Sequence, residues 1–247
     1  MTFPVTTHRN LYRNMAATFD GTNDYMARGA DLTGIADGKT ATYSFWVKFN
    51  GGDGANQALI GSNSTVANWR NGIFRRTTNL LGVSGRNAAG TSILNLSSSV
   101  TVYADGLWHH VLVSYDLAAS VAYVYLDDAD VTTITTLTND TIDFTTGNLF
   151  IGADNTAAAK LNADLSAFWF DHTYLNIAQV GNRRKFIDGG RMPVYLGANG
   201  ERPLGSSPLL YQKVSLGGAA SDFATNQGTG GNFTITGALA LATGPAG

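Results

Sequence analysis

The sequence predicts an all-β protein in which two antiparallel sheets stack as a sandwich around one apolar core. Apolar and polar side chains alternate along several segments, which is the period of a strand half-buried in a sheet. The acidic residues are 17 Asp and one Glu, and lysine occurs only five times, so two residue types that favour helices are scarce. The 29 glycines, together with abundant Thr and Asn, favour strands joined by many turns.

Length and composition limit the organisation and the chemistry of the chain. Its 247 residues suit one large sandwich that buries enough surface to fold without cross-links. The absence of cysteine excludes disulfides, thiolate metal sites and cysteine nucleophiles. The net charge of −2 gives no sign of a nucleic-acid-binding stripe or a polybasic membrane patch. We see neither a signal peptide nor an apolar run long enough to span a membrane, so no membrane insertion is expected.

The clearest strand patterns lie in the first and middle parts of the chain. Residues 41–49 alternate apolar and polar side chains, and the strands 107–116 and 120–128 are separated by three residues, which predicts a hairpin. Both faces of 120–128 are apolar, which predicts a central strand that is covered on both sides. The threonine-rich segment 132–144 suits an exposed edge strand, and 163–175 reads as a long aromatic strand.

The last third of the chain predicts one short helix and an irregular extension. Segment 176–188 has Ile177, Val180 and Phe186 at near-helical spacing, with Asn176 as the N-cap. The part that follows is rich in turns and low in apolar residues, so we expect it to pack on the sandwich or on a partner rather than form a second core. The predicted organisation is an N-terminal arm over 1–15, the sandwich over 16–190 and the irregular C-terminal extension over 191–247.

Six segments, in this order, resemble laminin G-like domains of the concanavalin A superfamily. They are FDGTNDYM (19–26), ATYSFWVKF (41–49), GLWHHVLVSYD (106–116), VAYVYLDD (121–128), NLFIGAD (148–154) and ADLSAFWFDHTYLNIAQV (163–180). The resemblance implies a two-sheet antiparallel jelly-roll sandwich over 16–190. It does not imply one function, because this fold carries lectins, adhesive modules, glucanases and structural parts. Where the family often has Gly after Tyr-x-Asp, this chain has Asp128, so we expect a different turn there.

The C-terminal part, with PVYLGANGERPLG followed by PLLY and NQGTGGNF, resembles the tails of bacteriophage and prophage proteins that carry this domain. This resemblance implies a non-enzymatic protein of the virion surface: a capsid decoration, a head fibre or a tail adhesin. Its expected partners are capsid or tail proteins, further copies of itself in a homo-oligomer, and host-surface glycans. Such a protein is made in the host cytoplasm and released by lysis. A free carbohydrate-binding module or lectin is the main alternative.

Glycoside hydrolysis, a reaction of other proteins with this fold, is disfavoured by the placement of the carboxylates. The reaction needs two carboxyl groups about 5–10 Å apart across the scissile bond. The one glutamate, Glu201, lies in a Gly/Pro turn, and the neighbours Asp127 and Asp128 are expected to point to opposite faces of a strand. Ser114 and Ser166 lie in strand patterns without a Gly-x-Ser-x-Gly elbow. The sequence therefore predicts a protein that is not an enzyme.

Loop carboxylates make calcium the metal that the sequence favours. Calcium takes oxygen ligands from Asp, Asn and backbone carbonyls, and many laminin G-like domains bind it at loop tips on one rim. By that resemblance the metal ligands are Asp127, Asp128 and Asp154, with Asp130 and Asn155 beside them. The alternative is ordinary turn chemistry, in which these side chains cap their own backbone. The four histidines show no ligand spacing, and no other cofactor is expected.

Exposed aromatic and amide side chains are the candidates for sugar binding, which needs an aromatic surface with planar polar groups beside it. The candidate ligand-binding residues are Trp69, Tyr103 and Asn155. Trp46, Trp108 and Trp169 follow strand patterns, so we expect them to pack on the sandwich. Because His109 and His110 are neighbours on one strand, we expect one of them to be buried and the other to be half exposed.

Overall fold

A computed structural model describes residues 15–62, 71–154 and 156–246. Within them the chain forms two sheets of eight strands each, one short α-helix and one 3₁₀ turn. The strands, in chain order, are β1 (Met15–Asp20), β2 (Tyr25–Ala27), β3 (Thr40–Phe49), β4 (Gln57–Ser62), β5 (Asn71–Arg75), β6 (Leu80–Arg86), β7 (Ser92–Thr101), β8 (His109–Asp116), β9 (Val121–Leu126), β10 (Ala129–Asp130), β11 (Thr132–Leu137), β12 (Leu149–Ile151), β13 (Asn162–Asp171), β14 (Leu210–Gln212), β15 (Thr234–Thr236) and β16 (Ala240–Thr243). The helix α1 is Val180–Arg183 and the 3₁₀ turn is Ala220–Ala224.

The strand order confirms the predicted all-β, antiparallel jelly-roll sandwich. Sheet A has the order β10-β9-β8-β3-β13-β1-β16, and β14 pairs with the part of β13 that β1 leaves open. Sheet B has the order β11-β7-β6-β5-β4-β12-β2-β15. Consecutive strands β4 to β7 form a meander in sheet B, whereas β3 in sheet A lies between β8 and β13, which are distant in sequence.

The core lies between the two sheets because each strand turns alternate side chains inward. Two stacked aromatic pairs join β3 to β13: the ring centroids of Tyr43 and Phe170 are 4.5 Å apart, and those of Phe45 and Phe168 are 5.1 Å apart. All four rings are buried. Shifting either strand by one residue would turn these rings away from the core, so the aromatic pairs help to fix the register of sheet A.

Of the predictions about strand position, the hairpin and the edge strand are confirmed and the central strand is wrong. The strands β8 and β9 form the predicted hairpin, and threonine-rich β11 is an edge strand of sheet B. Strand β9, however, is not central, because beyond it sheet A has only the two-residue strand β10. Its second apolar face, which carries Tyr125, is covered by a distant segment of the chain rather than by a central position in the sheet.

The predicted helix over 176–188 is also wrong in extent, since α1 has only four residues and begins after Gln179. Asn176 accepts a hydrogen bond from the backbone N–H of Ala178, which makes a turn before the helix rather than its N-cap. Val180 is 53% exposed, so it does not share a buried helix face with Phe186. Gly181 within α1 weakens the helix, and the arginine side chains beyond it are held by Asp128 in the β9–β10 turn.

The C-terminal extension is more regular than predicted, because it adds strands to both sheets. Strand β14 pairs with β13, β16 with β1, and β15 with β2 of sheet B. Phe223 packs edge-on against Phe19 in the core, with ring centroids 6.3 Å apart. No helix among the described residues is long and apolar enough to span a membrane.

The two outer faces of the sandwich differ in what covers them. On sheet A, Trp46, Leu112 and Trp169 are buried beneath the segment that follows β13. Phe186 of that segment packs on Trp169, with ring centroids 5.2 Å apart, and the Trp169 indole N–H donates to the carbonyl of Gly200. A second apolar cluster therefore seals the outer face of sheet A, which leaves the outer face of sheet B as the open broad surface of the described structure.

Candidate functional site

The open outer face of sheet B carries a patch of polar side chains. The inner face of sheet B carries buried apolar residues of β5, β6 and β7, namely Ile73, Leu81, Val83, Leu94 and Leu96. Because side chains alternate along a strand, the residues between them turn outward. We call this patch the platform; it consists of Phe74, Arg76, Gly82, Ser84, Arg86, Asn95 and Ser97. The platform residues other than Gly82 are only partly buried, so solvent reaches them.

Arg76 lies at the centre of the platform, between Phe74 and Asn95. Its guanidinium carbon is 5.3 Å from the centroid of the Phe74 ring, and Nη2 donates to Asn95 Oδ1 at 2.7 Å and more weakly to the Leu96 carbonyl at 3.5 Å. Gly82 makes room for this arrangement, because a Cβ there would be 2.5 Å from Arg76 Nε and 2.8 Å from Phe74 Cε2. The sequence therefore places an aromatic ring, a guanidinium and an amide side by side on one flat surface.

Several polar atoms of the platform have no partner within the described structure. They are Arg76 Nε, Ser84 Oγ and Arg86 Nε. Burial lowers the pKa of the Arg76 guanidinium, and no acidic neighbour opposes the shift. Arg86 donates through Nη1 to the Gly90 carbonyl at 2.7 Å. Neither guanidinium forms an ion pair with a described carboxylate.

The chemistry of the platform suits binding and does not suit catalysis. Guanidinium and amide groups are planar and donate or accept hydrogen bonds in fixed directions, which orients polar ligands. None of the seven platform residues is Asp, Glu or His, so no platform side chain can act as a general acid or base near pH 7. The platform can therefore hold a ligand that has several hydroxyl or anionic groups.

A small cavity of about 20 Å³ opens at one end of the sandwich, between the two sheets. Tyr43 and Phe170 of sheet A line it together with Asn71 of sheet B. Asn71 is 6% exposed, and its Nδ2 donates to the backbone carbonyl of Asp143 while its Oδ1 has no partner. A space of this size holds about one water molecule, which can donate a hydrogen bond to Asn71 Oδ1, so the cavity is too small for a sugar.

A laminin G type family model, described as the Concanavalin A-like lectin/glucanases superfamily, matches residues 20–181. The chain belongs to this superfamily. The matched range contains the whole of the platform and all the residues that line the cavity. No curated protein matches the chain at the level of sequence.

Three solved structures are similar to this superfamily member at low sequence identity. A protein of Bacteroides ovatus ATCC 8483, for which carbohydrate binding has been suggested, is 13% identical with a TM-score of 0.66; the match covers 96% of this chain and 62% of that one. A heptameric SAP-like pentraxin of Limulus polyphemus is 13% identical with a TM-score of 0.57, covering 94% and 96% of the two chains. Mouse laminin α1 domains LG4-5 are 14% identical with a TM-score of 0.47, covering 68% and 44%. The chain thus spans less than two thirds of the Bacteroides protein's length.

The predicted ligand-binding residues of this superfamily member fall in different places. Trp69 and Asn155 lie outside the described residues. Tyr103 follows β7 and is 50% exposed, so its ring is free to contact a ligand. Trp46 and Trp169 are buried on the outer face of sheet A, as expected, and Trp108 is partly buried there beneath Lys48.

The predicted calcium ligands are divided between two turns. Asp127 and Asp128 do not lie on a strand as predicted; both have positive φ, 49° and 69°, and form the β9–β10 turn. Asp127 contacts the His109 ring at 2.7 Å. Asp154 accepts hydrogen bonds from Thr156 and from the backbone N–H of Ala158, which is ordinary turn chemistry.

The ion pairs around these carboxylates argue against a single calcium site formed by all three aspartates. Asp128 already pairs with Arg183 at 2.6 Å and with Arg184 at 2.7 Å, and both arginines lower its pKa through hydrogen bonds and charge. Within the described ranges, no three His, Asp or Glu side chains form a group that could hold a metal ion. Calcium binding at either turn alone stays a prediction from the sequence.

The two neighbouring histidines divide as expected. His110 is 1% exposed, and its Nε2 is 2.9 Å from Ser44 Oγ beneath the Trp46 ring. His109 is partly exposed between Asp127 and Asp105, at 2.7 and 3.3 Å. Because the Ser44–His110 pair is sealed from solvent, it holds β3 to β8 and does not form an accessible nucleophile.

The platform itself was missed by sequence reasoning. Its strands contain glycine and serine at outward positions, so their alternation is weak and only short apolar pieces stand out. A signal was present in the period-2 spacing of Ser84 and Arg86 on one strand and of Asn95 and Ser97 on the next. Whether that face is open cannot be decided from the spacing, because the covering of sheet A comes from a distant part of the chain.

Proposed function

We propose that the chain is a non-catalytic carbohydrate-binding domain whose ligand lies on the platform of sheet B. The observation that carries this proposal is the group formed by the Arg76 guanidinium and the Asn95 amide, 2.7 Å apart, on the face of sheet B that no other described segment covers. Sugars present hydroxyl groups around an apolar ring face, so planar donors and acceptors beside an aromatic ring match them. The carbohydrate binding suggested for the Bacteroides protein of the same fold supports the proposal.

The test is a glycan array with the whole chain, followed by calorimetry of the best ligand. We expect Asn95→Ala and Arg76→Ala each to weaken binding about tenfold or more, since a hydrogen bond from a charged group contributes about 1.5–3 kcal/mol. Arg191→Gln is the matched control, because Arg191 is exposed in the segment beside sheet A and should not affect binding. Loss of binding in Trp69→Ala, with full binding in Asn95→Ala, would contradict a site on the platform and would place the site at Trp69.

Absence of catalysis is the second part of the proposal. The platform has no carboxylate, and Glu201 accepts a hydrogen bond from the backbone N–H of Asn199 in an exposed turn. We expect no release of reducing ends from any oligosaccharide that binds. Release that is abolished by an Asp→Asn substitution would show an enzyme and contradict this part.

The place of action that we propose is the surface of a bacteriophage virion, where the domain contacts host glycans. The support is the resemblance of the C-terminal sequence to phage proteins. The proposed partners are capsid or tail proteins, and further copies of the chain in a homo-oligomer. Mass spectrometry of purified particles should find the chain at a defined stoichiometry, and light scattering of the pure chain should find more than one copy. A chain absent from particles would favour the alternative, a free lectin.

A further inference from the structure

We infer that the ligand of the platform is an acidic saccharide whose carboxylate or sulfate group pairs with Arg76. This inference rests on the proposed function and narrows its ligand class. Arg76 and Arg86 both lie on the platform, and no platform residue carries a negative charge. The chain as a whole has a net charge of −2, so the platform is a local positive region on a slightly negative protein.

Three other arginines of this protein, one fully and two partly buried, are compensated by carboxylates. Arg75 contacts Asp53 at 2.7 Å, and Arg183 and Arg184 contact Asp128 at 2.6 and 2.7 Å. Arg76 has the carbonyl of Leu96 and the amide oxygen of Asn95 as acceptors, but no carboxylate. Removing a cation from water without an anion is unfavourable, so an anionic ligand would supply the missing charge.

The geometry leaves one edge of the guanidinium for that anion. Both hydrogen bonds that Arg76 makes with described residues use Nη2, and Nη1 donates to no acceptor among those residues. Nη1 therefore remains to donate charge-assisted hydrogen bonds to a carboxylate or sulfate oxygen. Gly82 leaves the space that the guanidinium occupies beside the Phe74 ring.

Matched pairs of saccharides test the inference, with calorimetry as the readout. One pair is an oligogalacturonate and its methyl ester, which differ in the charge and in one methyl group per carboxyl; the other is a dextran sulfate and its parent dextran. We expect the charged member of at least one pair to bind about tenfold more tightly, with the difference shrinking as salt rises. Which pair shows the difference identifies the anion as carboxylate or sulfate.

Two variants test whether Arg76 causes the preference for the charged saccharide. Arg76→Gln should remove the preference for the charged member, so that the two members of the pair bind this variant with affinities within about twofold of each other. Gly82→Ala keeps the charge but places a Cβ 2.5 Å from the present position of Arg76 Nε, so it should also remove the preference by displacing the guanidinium. Unchanged urea unfolding midpoints would show that both variants are folded.

The outcomes separate the inference from the proposed function. Equal affinity for the charged and neutral members, or a preference that survives Arg76→Gln, would overturn the acidic ligand while leaving carbohydrate binding in place. A glycan array that shows no binding to any acidic or neutral saccharide would overturn the proposed function itself.

Discussion

Replacing Arg75 with alanine is expected to lower the free energy of unfolding by about 4 kcal/mol. The side chain is fully buried, and its guanidinium donates to the Val102 carbonyl at 3.2 Å, the Gly51 carbonyl at 2.7 Å and Asp53 at 2.7 Å. It also lies 4.1 Å from the centroid of the Phe49 ring. The substitution leaves two carbonyls without this donor, at about 1–3 kcal/mol each, and opens a cavity in the core.

Urea unfolding followed by circular dichroism measures this loss, provided that the slope of the transition stays constant. Arg76→Ala is the matched control on the next residue, because that side chain is partly exposed and its loss should cost less than about 1 kcal/mol. Asp53→Asn should fall between the two, since the amide oxygen still accepts from Arg75 although the charge is gone. Equal midpoints for Arg75→Ala and Arg76→Ala would show that the buried guanidinium does not stabilise the fold.

The fold was predictable because its strongest signals are local. Alternation in 41–49 and the three-residue gap between two apolar runs correctly predict β3 and the β8–β9 hairpin. The position of β9 was not predictable, since an apolar outer face is the same whether a neighbouring sheet or a distant segment covers it. The short α1 was not predictable either: beyond Arg184 the backbone N–H groups of Lys185 and Phe186 bond three residues back, to Asn182 and Arg183, so the chain continues as turns.

The candidate site was less accessible to sequence reasoning because it depends on what remains uncovered. Exposed aromatics and loop carboxylates draw attention in a sequence, yet Asp128 is neutralised by arginines and Asp154 caps its own turn. Arg76 carries no distinctive motif, and only the fold shows that it lies over Gly82 without an acidic partner. Uncompensated charge on an open face is a three-dimensional property, and spacing along the chain does not encode it.

The two adjacent histidines are expected to give the stability of the protein opposite dependences on pH. Burial lowers the pKa of His110 to about 4, against a partial offset from Asp127 and Asp128, whereas the unfolded value is 6.5. The unfolded chain therefore binds a proton below pH 6.5 that the folded chain refuses, so stability is full above that pH and falls between pH 6.5 and 4. The loss approaches about 3 kcal/mol, at 1.36 kcal/mol per pKa unit.

His109 acts in the other direction. Its hydrogen bond to Asp127 is the largest cause of a raised pKa, opposed by burial and supported by Asp105. A raised folded-state pKa means that the protonated ring stabilises the fold below pH 6.5, and that this contribution is lost as the pH rises through the folded value. The unfolding midpoint should therefore fall on both sides of a maximum near pH 6.5.

Unfolding midpoints between pH 4.5 and 8, together with NMR titration of the imidazole rings, separate the two histidines. His109→Gln should flatten the alkaline limb and leave the acid limb, whereas His110→Gln, which can still bond to Ser44, should flatten the acid limb. Restricting the acid limb to pH 4.5 and above keeps most carboxylate titrations out of the comparison. A His110 ring that titrates near pH 6.5 in the folded protein would contradict the burial on which the acid limb depends, because a neutral ring is what β3 and β8 enclose between Ser44 and Trp46.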